Sequence, residues 1–181
     1  MRSTSLYITN LAAAMAFSAM VSATTLERLS MNDMADKSHI VVKATVTGGA
    51  AEYSNGVVRT HYLLNVSEVW KGAAGTQLDV FVPGGRAGGF RELVPGAPVL
   101  ETGAEYVVFL WVGSSGRPQV IGLSQGLFHV ARDQAGTMML ERPGAKETMI
   151  DAATGGLVTD QPLRMRAEDV KALVKKRQVA Q

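Results

Sequence analysis

The stretch VVRTHYLLNVSEVW (residues 57–70) decides how the chain is read. Val58, Tyr62, Leu64 and Val66 alternate with Arg59, His61, Asn65 and Ser67, the period of two that sends one set of side chains to a buried face and the other to water. A long strand is therefore predicted. Val69 then arrives one residue out of phase, and a slip of phase inside a strand predicts a β-bulge or a sharp bend. Bends of this kind let a sheet curl over itself, as small closed barrels require.

Working outward, the run IVVKATV (residues 40–46) is β-branched and bounded by Gly48-Gly49, which predicts a preceding strand. Residues 48–56 are read as a loop closing on Asn55-Gly56, a turn pair that tolerates positive φ at both positions. Downstream, Leu78, Val80 and Val82 alternate into a third strand, and residues 90–94 make a short one broken by Pro95-Gly96-Ala97-Pro98. EYVVFLWV (residues 105–112) is apolar on both faces, so it is expected to be the most buried strand. Ser114-Ser115-Gly116 turns the chain into a strand over 119–123, and residues 127–131 and 137–141 form a final hairpin around Asp133–Gly136. A short helix is predicted at the N-terminal end of this domain, capped by Thr25 and presenting Leu26, Leu29 and Met34. A second is predicted at the C-terminal end, where Val170, Leu173 and Val174 recur at helical spacing. Its acids, Glu168 and Asp169, come early and its bases, Lys175, Lys176 and Arg177, late, complementing a helix dipole. The expected fold is mainly β: a small, closed or partly open antiparallel OB-like barrel with a short helix at each end.

The N-terminal residues carry a positive charge at Arg2, an apolar run from Leu11 to Val21 and small residues at Val21 and Ala23, the pattern of a secretory signal peptide. The apolar run is shorter than the roughly 20 residues a spanning helix needs. Residues 1–23 are thus expected to be removed, leaving residues 24–181 as a single domain exported to a bacterial periplasm or exterior, with no stable membrane insertion. With 18 Lys and Arg against 16 Asp and Glu, the charge is too balanced for a nucleic-acid partner. The chain has no cysteine, so disulfides and thiolate zinc sites are excluded and a packed core must supply the stability.

Catalytic patterns are scarce. His39, His61 and His129 fall on separate predicted strands without paired metal spacing, Ser124 has no identifiable base, and no Gly-x-Ser-x-Gly elbow is present. No cofactor or metal is expected. Trp70, Trp111, Phe109 and Tyr106 are read as core or rim aromatics. VPGGRAGGF (residues 82–90) lacks the helix and the Lys and Ser or Thr of a phosphate loop, so its glycines mark a turn or a close backbone approach. A functional alternative puts Arg86, Phe90 and Arg91, with Tyr53 from the neighbouring loop, at one rim of the barrel, where the arginines would receive a carboxylate or a peptide.

The segments KSHIVVKATVTG, THYLLNVSEVWKG, LDVFVPGG, LETGAEYVVFLW and GLSQGLFHV, spread over residues 37–130, together resemble a family of small exported bacterial proteins of unassigned role. More remotely they resemble the netrin-like module, the OB-type barrel of tissue inhibitors of metalloproteases. That likeness implies a protein-binding barrel and an exported protein, such as a protease, as partner. The inhibitors' N-terminal cysteine and disulfides have no counterpart here, so their zinc-chelating mechanism is not carried over. The leading functional expectation is a non-enzymatic binding module using loops 48–56 and 84–92. Two alternatives are a hydrolase, metal-dependent or acid/base, whose Glu52, His61, Glu68 and Glu105 meet only in space, and a self-associating envelope scaffold.

Overall fold

A computed structural model describes residues 26–179. The predicted signal peptide, residues 1–23, and the predicted cap Thr25 lie outside the described residues. The elements are β1 (Leu26–Glu27), α1 (Met31–Lys37), β2 (Ile40–Ser54), β3 (Val57–Lys71), β4 (Gln77–Pro83), β5 (Gly85–Ala87), β6 (Phe90–Glu92), β7 (Glu105–Val112), β8 (Pro118–Val120), β9 (Leu127–Arg132), β10 (Met138–Arg142), β11 (Met149–Ile150), β12 (Leu157–Val158), β13 (Leu163–Arg166) and α2 (Ala167–Val179). The chain is mainly β, with two helices and a largely antiparallel main sheet ordered β13-β10-β9-β7-β2-β3-β4-β8. β7 also pairs with β8, and β8 runs parallel to β4. No helix among the described residues is long and apolar enough to cross a membrane.

The phase slip of residues 57–70 is real and double. In the β2–β3 ladder Lys43 faces Glu68 and Ala44 faces Val66, leaving Ser67 as an extra residue on β3; Trp70 is a second, between the partners of Val41 and Val42. After these bulges Val69 points to solvent, whereas Trp70 is buried. One strand thereby serves two cores. Val42, Ala44, Val46, Leu64, Val80, Val82, Tyr106, Val108 and Leu110 fill the first. Val41, Trp70, Val107 and Phe109 point the other way, into a second core with Met34, Phe128, Leu140, Val170 and Val174 from the helices and from β9 and β10. The two-faced apolar run of β7 is explained by this: Tyr106, Val108 and Leu110 enter one core, Val107 and Phe109 the other, and all five are buried.

Three expectations are corrected. The N-terminal helix does not pass through Leu26: Leu26 and Glu27 pair in parallel with Met149 and Ile150, and the helix starts only after Ser30. The Ser30 side chain accepts from the Asp33 amide while Asp33 accepts from the Ser30 amide, a capping box that fixes the start. Most of the predicted loop 48–56 is strand, because β2 continues to Ser54 and only Asn55 and Gly56 turn, with φ of 53° and 80°. Gly49 does not break the strand; it leaves room for the Tyr62 ring, which a Cβ there would approach to 2.7 Å. The strand expected over 119–123 stops at Val120 and gives way to a 3-10 turn over Leu123–Gly126.

Phe109 stands at the centre of the second core, edge-on to Phe128 at 5.7 Å between centroids. Phe109→Ala is expected to lower the unfolding free energy by about 3–5 kcal/mol in a denaturant titration. A loss under about 1 kcal/mol would contradict this packing.

Candidate functional site

β5 and β6 form a small hairpin whose two-residue turn, Gly88-Gly89, has φ of 59° and 80°, the same left-handed pair as Asn55-Gly56. The glycine-rich stretch of residues 82–90 is therefore a turn and also a point of close approach. Gly85, at φ 136°, lies where any Cβ would collide with the Thr60 hydroxyl and come within 3.1 Å of Ala51. The hairpin is folded down over β2 and β3 by four contacts. Gly84 donates its N–H to the Val58 carbonyl (2.9 Å) and its carbonyl accepts from Thr60 Oγ1 (2.8 Å). Glu92 Oε2 accepts the Val58 N–H (2.7 Å), and Phe90 stacks on Tyr53 with centroids 4.5 Å apart and planes 19° off parallel.

All four residues singled out in the sequence are thus brought together. Tyr53 and Phe90 join the tips of two hairpins, and Arg86 and Arg91 face each other directly across β5 and β6. Neither arginine makes an ion pair among the described residues. Beside them opens a cleft of about 360 Å³ that the segment 93–99 walls on one side and Thr60, Tyr62 and Val82 floor. Leu93, 73% exposed, and Val99, 74% exposed, line it, while Phe90 of the same hairpin, 54% exposed, and the Tyr53 stacked on it, 44% exposed, lie outside its lining. Leu93 and Val99 were missed in the sequence, where Pro95 and Pro98 read only as a break; two apolar residues flanking a proline loop were the available signal.

The alternative catalytic quartet divides. Glu68 and Glu105 meet at Lys43, whose Nζ lies 3.2 Å and 3.4 Å from them. His61 is seven residues along β3 from Glu68, roughly 20 Å at about 3.3 Å per residue. There its Nδ1 is 3.3 Å from Asp79 and its ring stacks on Phe81, while Glu52 is 3.6 Å from Arg117. Neither other histidine joins them: His39 Nδ1 accepts from the Val112 amide at 3.2 Å, and His129 tilts against Tyr106 at 4.3 Å. Among the described residues, no three His, Cys, Asp or Glu side chains gather where they could hold a metal ion.

Glu68 anchors the helical side of the sheet. It accepts from Lys171 of α2 (2.7 Å) and from Trp70 Nε1 (3.2 Å) as well as pairing with Lys43. The Lys171 hydrogen bond, above all, holds its carboxyl down from 4.5 to about 2, against the opposing effect of burial. A second anchor, the buried Arg142–Asp160 pair, ties β10 to the segment before β13. Burial alone would raise the Asp160 pKa, but hydrogen bonds from Arg142 and from the Ala145 amide outweigh it and hold the group ionised.

The sequence matches no known family model, and no curated protein matches it significantly.

Because the folded-state pKa of Glu68 is depressed, its contribution to stability is whole above about pH 4.5 and is lost as pH falls toward about 2. Melting temperatures of the protein and of Glu68→Gln should differ at pH 7 and converge through that acid window. A constant gap from pH 7 down to pH 2 would show that Glu68 carries no such linkage.

Proposed function

We propose that the protein is a non-enzymatic binding module, an OB-like barrel whose rim receives a protein or peptide in the cleft between the β5–β6 hairpin and residues 93–99. The barrel reading is supported by the circuit of pairings from β2 through β3, β4, β8 and β7 back to β2, with its parallel β4–β8 step and an apolar cluster inside. Its leader-like N-terminal sequence supports an exported setting.

The binding reading rests on one observation. Two exposed apolar side chains, Leu93 and Val99, line a cleft with Arg86 and Arg91, which form no ion pair among the described residues, and the exposed Phe90, stacked on Tyr53, lies on the other face of the β5–β6 hairpin. Exposed apolar patches on a rigid frame mark interaction sites, and aromatic residues with arginine are the types that dominate protein interfaces. Hairpins pinned to the sheet make such a surface preorganised, which lowers the ordering cost of binding.

A random-peptide display library panned on the folded protein should yield enriched sequences. Enrichment should fall at least about tenfold on Tyr53→Ala/Phe90→Ala, which removes the stack that holds the β5–β6 hairpin and its cleft wall in place. Leu93→Ser and Val99→Ser, whose side chains are mostly in solvent, provide variants that weaken binding without loosening the fold. Failure of the wild-type protein to enrich any sequence above these variants would overturn the reading.

A further inference from the structure

We propose that Arg86 and Arg91 form a two-guanidinium clasp for a carboxylate carried by an extended peptide, with an adjacent apolar side chain of that peptide packed on Leu93 and Val99. The proposal rests on reading the cleft as a peptide site and adds the chemistry of its ligand.

Both cations line the cleft from one face of the hairpin. Ala87 and Phe90 close the two-residue turn, so they form a hydrogen-bonded pair, and alternation makes Arg86 and Arg91 the non-hydrogen-bonded pair, with Cα atoms about 4.5 Å apart. Phe90 and Glu92 turn toward the β2–β3 hairpin, one stacking on Tyr53 and the other accepting from Val58. Arg86 and Arg91, at the alternate positions, leave from the opposite face, and both line the cleft.

Like charges placed directly across a strand pair are destabilising, and a guanidinium has no accessible neutral form through which to escape. Among the described residues, no acid forms an ion pair with either arginine. Glu92 is the acid that lines the cleft with them, and its Oε2 is held on the other face by the Val58 amide. The hairpin therefore carries a repulsion that one bound anion would relieve. Adjacent planar forks suit the two oxygens of a carboxylate, and the apolar wall of Leu93, Val94, Pro98 and Val99 displaces water and strengthens the attraction. That wall also favours a peptide over a bare ion, since it gives the residue beside the carboxylate a surface to cover.

An Asp or Glu side chain and a chain end are the two sources of such a carboxylate, and the display experiment separates them. Random peptides are panned in two formats, one with a free carboxyl terminus and one with the terminus capped, on the wild-type protein, Arg86→Gln and Arg91→Gln. Wild-type winners should carry a fixed acid next to an apolar residue in both formats, or should appear only with the free terminus. Each substitution should reduce their affinity about tenfold, the worth of a charge-assisted contact, with a melting temperature at or above that of the wild type. Acid-free winners in both formats, bound equally by all three proteins, would overturn the clasp while leaving the peptide cleft standing. No enrichment at all would overturn both.

Discussion

Strand β7 belongs to two cores at once, and the rest of the structure is organised around that double burial. Five consecutive side chains, Tyr106 to Leu110, are removed from water on alternating sides. A strand with both faces covered needs a layer on each, so β2, β3, β4 and β8 close one apolar cluster while α1, α2, β9 and β10, joined by Val41 of β2 and Trp70 of β3, close the other. Each fully buried side chain contributes about 1.5–3 kcal/mol by transfer from water. With no disulfide available, this packing and a few buried polar anchors hold the chain. Among those anchors, Lys71 Nζ donates to the Ala35 carbonyl at 2.7 Å, closing the C-terminal end of α1 onto β3.

The candidate site lies where that packing ends. Beyond Val46, β2 runs past its β7 neighbour while β3 stays paired to β4 as far as Arg59, and the β5–β6 hairpin folds across this end. Short polar contacts, Thr60 to Gly84 and Val58 to Glu92, replace a core there. Their effect is to fix the direction of Arg86 and Arg91 and to leave Phe90, Leu93 and Val99 uncovered. Rigid placement of an unsatisfied, partly apolar surface is what distinguishes a recognition site from an ordinary loop.

Much of this was legible in the residues. Alternation over 57–70 and its slip at Val69 announced β3 and its bulges, and the apolar run 105–112 announced the most buried strand. Less legible were features that depend on distant partners. Leu26 and Glu27 looked helical because Leu29 and Met34 follow at suitable spacing, yet residues more than 120 positions away draw them into a strand. Gly48 and Gly49 looked like a break because the Tyr62 ring that covers Gly49 cannot be foreseen from local sequence. At the site, Tyr53, Arg86, Phe90 and Arg91 were identifiable by type, whereas Leu93 and Val99 gain meaning only once exposure is known. The imagined quartet of Glu52, His61, Glu68 and Glu105 failed for the converse reason: suitable types lie on the same sheet, but register sends them to opposite ends.

Native-state hydrogen exchange of the β7 amides tests the shared-strand packing most directly. If β7 joins both cores, the amides of residues 106–110 open only when the whole protein unfolds, with a free energy equal to that from denaturant titration, and those of β9 and β2 beside them rank next. Exchange of β7 through a cheaper partial opening, with either core remaining protected after the other is lost, would contradict it.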